Sequence, residues 1–436
     1  MGKYLKQIWN SPDLRNKILF TLGAIVVYRL VSHVTVPNVN PDAIKKIFDN
    51  NATLGFFNAL LGGSMRNFSV VLMGLSPYIN ASIIMQLLTV IVPKFEALSK
   101  EGEQGQKMIN QWTRWITFPL AFVQSYGMIL LLNKLGGEAT PVIPHINNPA
   151  VLLPIMISVT AGTIFLMWLG EIMTEKGIGN GISMIIFAGI VASIPQVIGQ
   201  SISLANIDSQ KIVSIIILLA ITVVLTVFII FFTEGHRNIP ITYAGRSRTG
   251  STEQSNIPIR VNQAGMIPII FAVSLITFPS IIANLFRNSP VEWVKNTAEF
   301  VLTHFNPQNP TWYYIFIYAL LNIAFTYFYV SVTFNTETVA ENIQKRGGFI
   351  PGIRPGKQTA IFLKAVSDHL NLFGGSFLAL VAIFPYLFEA ITTEIGTGSV
   401  PLLMSGAGLI IVVGVVLEII RKINAELVMH DYDKFY

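Results

Sequence analysis

Apolar runs of membrane-spanning length recur along the 436 residues. A helix is the form in which such a run crosses lipid with all its backbone hydrogen bonds made. Ten runs meet the length, at roughly 18–37, 72–92, 114–133, 150–173, 182–203, 212–233, 263–286, 311–334, 367–389 and 401–421. The fifth is the least regular, because Pro195 interrupts it. Charged residues make up 12% of the chain, about half the share of a soluble domain. The expected fold class is an all-α polytopic membrane protein with ten transmembrane helices.

Ten is even, so both termini fall on one side, and the distribution of Lys and Arg chooses which. With the N-terminus inside, the inner segments carry 21 of these residues and the outer segments 7, so both termini are expected in the cytoplasm. This asymmetry also accounts for the net charge of +6. Residues 1–17 read as an amphipathic cytoplasmic segment on the membrane surface, since they lack the pattern of a cleaved signal peptide. Five spans per half is odd, so an N-terminal half (18–203) and a C-terminal half (204–421) have opposite orientations. That is the arrangement of an inverted repeat around a central site. Residues 422–436 form a cytoplasmic tail, and no residue-level repeat accompanies the parity.

The stretch Leu72–Val92 is apolar yet contains Pro77, Asn80, Ser82 and Gln86. Proline removes a helical hydrogen bond, and polar side chains at membrane depth need protein or water beside them. This span is therefore expected to line a cavity, with Pro77 breaking the helix near its start. Upstream, LGFFNALLGG (54–63) is too short to cross a bilayer and pairs Phe57 with Leu61 one turn apart. A re-entrant segment and an interfacial helix both fit it, with Gly62 and Gly63 as a hinge.

Several chemistries are disfavoured. The chain has no cysteine, which excludes disulfides and thiolate chemistry. Its six histidines are scattered without metal-ligand spacing, and neither a GxSxG nucleophile turn nor paired intramembrane carboxylates occur. No enzyme, cofactor or metal is expected. GIRPGKQT (352–359) departs from a phosphate-binding loop at Pro351 and Gln358. It reads as a rigid turn holding Arg354 and Lys357 outward, suited to an acidic protein surface or RNA, or as plain positive-inside charge. GIGNGIS (177–183) reads as a tight cytoplasmic turn. Arg29 lies near the outer end of the first span, where it can snorkel, and Glu171, Glu389 and Glu418 sit at span ends. A secondary transporter with inverted repeats is one reading of this arrangement, which the scarcity of interior charge disfavours.

Five motifs in order carry a resemblance: GLSPYINASIIMQLL (74–88), KEGEQGQ (100–106), MWLGEIMTEKGIGNGIS (167–183), VNQAGMIPIIF (261–271) and PGIRPGKQT (351–359). Over essentially its whole length the chain resembles the SecY family, the central subunits of the bacterial protein-conducting channel. The resemblance implies two five-helix halves around a central pore. Through that pore unfolded secretory polypeptides would cross the membrane, and hydrophobic segments would leave sideways into the bilayer.

Matched by position, the family's pore ring falls on Leu75, Ile79, Ile182, Ile186, Ile270 and Ile411, with leucine at 75 where the family often has isoleucine. Its plug falls on Leu54, Phe57, Leu60, Leu61, Gly62 and Gly63, which favours the re-entrant reading. A lateral gate lies between spans two and three and spans seven and eight. There Gln86, Gln124 and Asn262 match polar positions expected to hydrogen-bond one another when shut. Loops 234–262 and 335–366 match the docking loops, with Arg354 at the position the family relies on and Arg246, Arg248 and Lys357 as helpers. The implied partners are the SecA motor ATPase or a translating ribosome, the small membrane subunits SecE and SecG, signal peptides with their nascent chains, and the lipid of the inner (plasma) membrane.

Overall fold

The computed structural model describes residues 8–50, 64–135, 141–146, 148–207, 209–243, 254–286, 291–305, 311–394 and 406–433. The N-terminal part consists of α1 (Pro12–Val31), α2 (Pro41–Asn50), α3 (Ser76–Ile91), α4 (Pro93–Lys100), α5 (Glu103–Leu135), α6 (Pro149–Lys176), α7 (Gly181–Ile207) and α8 (Ser209–Glu234). A hairpin of β1 (His236–Tyr243) and β2 (Gln254–Arg260) follows. The rest comprises α9 (Ile267–Phe286), α10 (Glu292–His304), α11 (Trp312–Thr333), α12 (Thr336–Lys345), β3 (Gly348–Phe349), α13 (Lys357–Glu394) and α14 (Gly406–Asp433).

The fold is mostly helical but not all-α. Strands β2, β1 and β3 form a three-stranded sheet in that order, built from the two segments expected to be docking loops. The hairpin pairs antiparallel from His236 opposite Arg260 to Thr242 opposite Gln254, and β3 adds antiparallel with Phe349 opposite Thr242. Alternating isoleucines put Ile239, Ile241 and Ile259 on one buried face. Such short strands lie below the resolution of a 19-residue hydropathy window, which is why span counting passes over them.

Among the described residues, five helices are long and apolar enough to cross a membrane: Glu103–Asn133, Pro149–Lys176, Ile215–Glu234, Trp312–Lys345 (α11 continued by α12) and Lys357–Phe388. The pair α3 and α4, bent by 102°, makes a sixth if counted as one broken span. Shorter apolar stretches occur in α7 and α9, at Gly181–Pro195 and Ile267–Thr277. Helix α1 has Asp13, Arg15 and Lys17 at its start and Arg29 in its last turn, which makes it too charged to count by composition.

Element boundaries differ from the hydropathy windows at the polar ends. Helices α5 and α13 begin 11 and 10 residues before the apolar runs at 114 and 367, and α14 continues through most of the segment read as a tail. Hydropathy follows the bilayer, whereas a helix ends where its capping and packing end. Pro77 is a second correction. It occupies the first turn of α3, where a missing N–H costs nothing, so it starts the helix. Pro195, by contrast, sits inside α7.

Before α3, residues 64–75 run as successive turns fixed to the chain leaving α1. Val36 N–H donates to Phe68 O at 3.0 Å, Val70 N–H to Val34 O at 3.0 Å and Ser69 Oγ to Val31 O at 2.9 Å. At the opposite end of α1, Leu14 and Ile178 are buried with Ile419, Ile423 and Leu427 of α14 against them. Lys17 Nζ also meets Glu426 Oε1 at 2.6 Å. The start of α1 and the end of α14 therefore share one side of the molecule.

Candidate functional site

The largest apolar cluster gathers side chains from the entry to α3 and from α1, α6, α7, α8, α9, α13 and α14. All six residues matched to the ring belong to it. Leu75 and Ile411 are buried within it, and Ile79, Ile182, Ile186 and Ile270 are partly buried against it. Four separate stretches of sequence thus deliver branched aliphatic side chains to one place. The pairs Leu75/Ile79 and Ile182/Ile186 have the one-turn spacing that puts both members on a single helix face.

Local chemistry sets these positions. Leu75 is the N-cap residue of α3, and Gly74 before it turns the chain at φ +54°. Helix α7 starts in the GIGNGIS turn. Asn180 Oδ1 accepts from Ile182 N at 3.0 Å and Ser183 N at 3.3 Å, the capping pattern that satisfies orphan helix donors. Thr174 Oγ1 accepts from Gly181 N at 2.9 Å, and Thr21 Oγ1 of α1 accepts from Ile178 N at 3.2 Å. A Cβ at Gly181 would come within 2.1 Å of the Gly170 carbonyl oxygen, so only glycine lets α6 and α7 meet this closely.

Helix α9, which the turn at Asn262 leads into, packs against both α3 and α5, the helices bearing Gln86 and Gln124. The three side chains do not bond one another. Gln86 Nε2 reaches Ser82 Oγ on its own helix at 3.4 Å, leaving its buried Oε1 without a partner. Asn262 Oδ1 accepts from Gly265 N at 2.9 Å and so forms the turn that leads into α9. Gln124 is 2% exposed, and neither end of its amide has a partner. The expected hydrogen-bonded seam is thus a seam of amides turned to local uses or enclosed.

The two segments matched to docking loops fold into one unit. Ile239, Ile241 and Ile259 of the hairpin pack with Ala340 and Ile343 of α12, Ile350, and Ala360, Leu363 and Val366 of α13. Asn335 caps α12 through Glu337 N and Thr338 N, both at 3.1 Å. Arg354 and Lys357 are exposed, Arg354 in the turn after β3 and Lys357 on the first residue of α13. Thr359 Oγ1 donates to Arg354 O at 3.0 Å and ties the turn to the helix. Arg246 and Arg248, like all six plug positions from Leu54 to Gly63, lie outside the described residues.

Ion pairs add what sequence reading missed. Arg114 Nε meets Glu171 Oε1 at 2.8 Å, joining α5 to α6. Arg421 Nε reaches Glu234 Oε1 at 3.2 Å, and its Nη2 reaches Thr233 O at 3.4 Å, so the middle of α14 is joined to the end of α8. Arg260 stands nearby: partial burial and then Arg421 pull its pKa below the usual guanidinium range, and Glu234 opposes them. Each partner sits at a charged span end, which marks it as interfacial, but its mate lies in another span. Among the described residues no cluster of His, Asp or Glu is arranged to hold a metal ion.

A solved structure of a protein-conducting channel superposes with a TM-score of 0.65 at 17% identity, covering 94% of this chain and 92% of that one. Sec61 in a canine ribosome–channel complex from the endoplasmic reticulum superposes at 0.61 and 18% identity, with the same coverage. The chain therefore has the fold of these channels and is a multi-pass membrane protein. The SecY family model matches residues 69–420. The protein translocase subunit SecY of Bacillus licheniformis is 40% identical over 445 residues, spanning 100% of this chain and 99% of its own length. This chain belongs to the SecY family.

Proposed function

We propose that the chain is the pore-forming subunit of a translocase, moving unfolded secretory polypeptides across the membrane and releasing hydrophobic segments sideways through a lateral gate. The observation that carries the reading is the convergence of Leu75, Ile79, Ile182, Ile186, Ile270 and Ile411 on one apolar cluster. An aliphatic constriction excludes ions by dewetting yet makes no specific bond to a passing chain, so it serves any sequence. The resemblance supports a re-entrant plug at about 54–65 that would close it from the outer side. The gate lies between spans two and three and spans seven and eight, a placement supported by the packing of α9 against α3 and α5, with Gln86, Gln124 and Asn262 along the seam.

Ten spans complete this architecture, in inverted halves 18–203 and 204–421. Both termini are cytoplasmic in the plasma membrane. The Lys and Arg asymmetry supports that orientation, as does the meeting of α1 and α14 on one side. The subunit is a passive conduit and not an enzyme. Its energy comes from the SecA motor or a ribosome docked on the hairpin, α12 and the Arg354 turn, with Arg246, Arg248 and Lys357 contributing charge. SecE and SecG complete the assembly.

Crosslinking tests this. A secretory precursor stalled in transit is expected to crosslink to photoreactive probes at Ile79, Ile186 and Ile411. If these probes never touch the precursor while controls confirm that it has engaged the loops, the pore assignment fails.

A further inference from the structure

We infer that α10 is a membrane-surface helix whose aromatic flank, Trp293, Phe300 and His304, lies in the headgroup layer of the bilayer at the level where α11 begins. Around a helix of 3.6 residues per turn, α10 divides into three sectors. Val294, Ala298, Val301 and Leu302 form the face turned to the protein, of which Ala298 is 5% exposed. Ser280 Oγ of α9 donates to Phe305 O at 2.6 Å and fixes the helix against its neighbour. Glu292, Lys295 and Glu299 occupy one exposed flank.

The opposite flank carries Trp293, Phe300 and His304, within about 40° of one another. Trp293 is 72% and Phe300 58% exposed. A surface bathed in water on both flanks has no reason to segregate two large aromatics from three charges on so short a helix. Segregation of this kind is the mark of a helix lying in an interface.

The neighbours of this flank identify its occupant as lipid. Phe300 and His304 stack with ring centroids 4.2 Å apart, and His304 lies 5.8 Å from the ring of Tyr313. Tyr313 is in the first turn of α11, a helix long and apolar enough to span the membrane, beside the exposed Trp312 and one turn before the exposed Phe316. Aromatic rings gather where a span meets the headgroups, since their apolar bodies and polar tips suit that layer. The α10 flank extends this aromatic collar sideways along the surface, and Thr311 Oγ1, which donates to His304 O at 3.2 Å, holds the two parts together.

The absence of cysteine makes the test direct. Single-cysteine variants W293C, F300C, K295C and E299C of the full chain are labelled with a nitroxide and reconstituted into phospholipid vesicles. Collision rates with oxygen, which partitions into lipid, are compared with those of a water-soluble nickel chelate. The oxygen-to-nickel ratio is expected to be several-fold higher at 293 and 300 than at 295 and 299. Equal ratios at all four sites, or labels at 293 and 300 that are immobile and shielded from both reagents as under a protein partner, would overturn the inference.

Discussion

Lys17 and Glu426 are 409 residues apart in sequence and 2.6 Å apart in space. Their contact joins the first turns of α1 to the last turns of α14, above an apolar patch formed by Leu14, Ile178, Ile419 and Ile423. Both side chains are partly exposed, so their attraction is screened and worth at most about 1 kcal/mol. The patch beneath carries more of the join. Lys17→Glu and Glu426→Lys are each expected to lower the unfolding temperature slightly in low salt, and the double exchange to restore it. Thermal unfolding at low and high ionic strength checks this, and a double exchange no more stable than either single variant would show that the pair does not couple.

Gly181 gives a larger effect for a smaller change. Its Cα faces the Gly170 carbonyl so closely that a methyl group would sit 2.1 Å from the oxygen. The next residue is Ile182, a member of the proposed waist. Gly181→Ala must push α7 away from α6 at a cost of about 1–3 kcal/mol, as for overpacking in other cores. The expected outcome is a lowered unfolding temperature together with ion leak through resting channels in a planar bilayer. Asn180→Ala removes the cap and costs about 1 kcal/mol without moving the helices apart, so it should destabilise with less leak. A tight seal in Gly181→Ala would contradict the link between this contact and the waist.

Why some of this was legible in the sequence and some was not follows from the range of each signal. Apolar runs and Lys/Arg asymmetry are local sums, so the helical class can be read without knowing what touches what. The spacing of Ile182 and Ile186 is likewise local, and it was the motif resemblance that linked them to Ile270 and Ile411. A proline at a helix start and one inside a helix look alike in sequence until the N-terminus is known, so the break expected at Pro77 is instead the start of α3. The sheet at 236–260 and 348–349 was missed because its strands are short and β3 pairs across about a hundred residues. Arg114–Glu171 and Lys17–Glu426 depend on tertiary neighbours, for which a single sequence carries no signal.

Gln124 poses a sharper question of energetics. Its amide is enclosed and has no hydrogen-bond partner, and a polar group left in that condition costs about 1–3 kcal/mol. Gln124→Leu keeps much of the volume and removes the unpaired groups, so the variant is expected to unfold at a higher temperature. If the seam at α3, α5 and α9 is the gate, the same change favours its closed arrangement. Precursors with weakly hydrophobic signals should then be translocated less, while strong signals pass nearly unaffected. A lower unfolding temperature would mean that the amide has a partner in the membrane and that its isolation here is not the working state.

Ile411 provides the most direct probe of the proposed waist. It is 3% exposed, on α14 within the cluster that holds the other five residues matched to the ring. Ile411→Asn replaces a branched alkyl group with an amide that has no partner among these side chains, which costs about 1–3 kcal/mol unless water enters to bond it. Water entry is the cheaper outcome in a constriction, and once water is present ions follow. The variant is expected to show raised resting conductance in planar bilayers and relaxed discrimination against defective signals, whereas Ile411→Val, which keeps the surface aliphatic, should remain close to the parent in both. Unchanged leak and stringency in the asparagine variant, with the protein folded and inserted, would mean that the seal lies elsewhere along the pore.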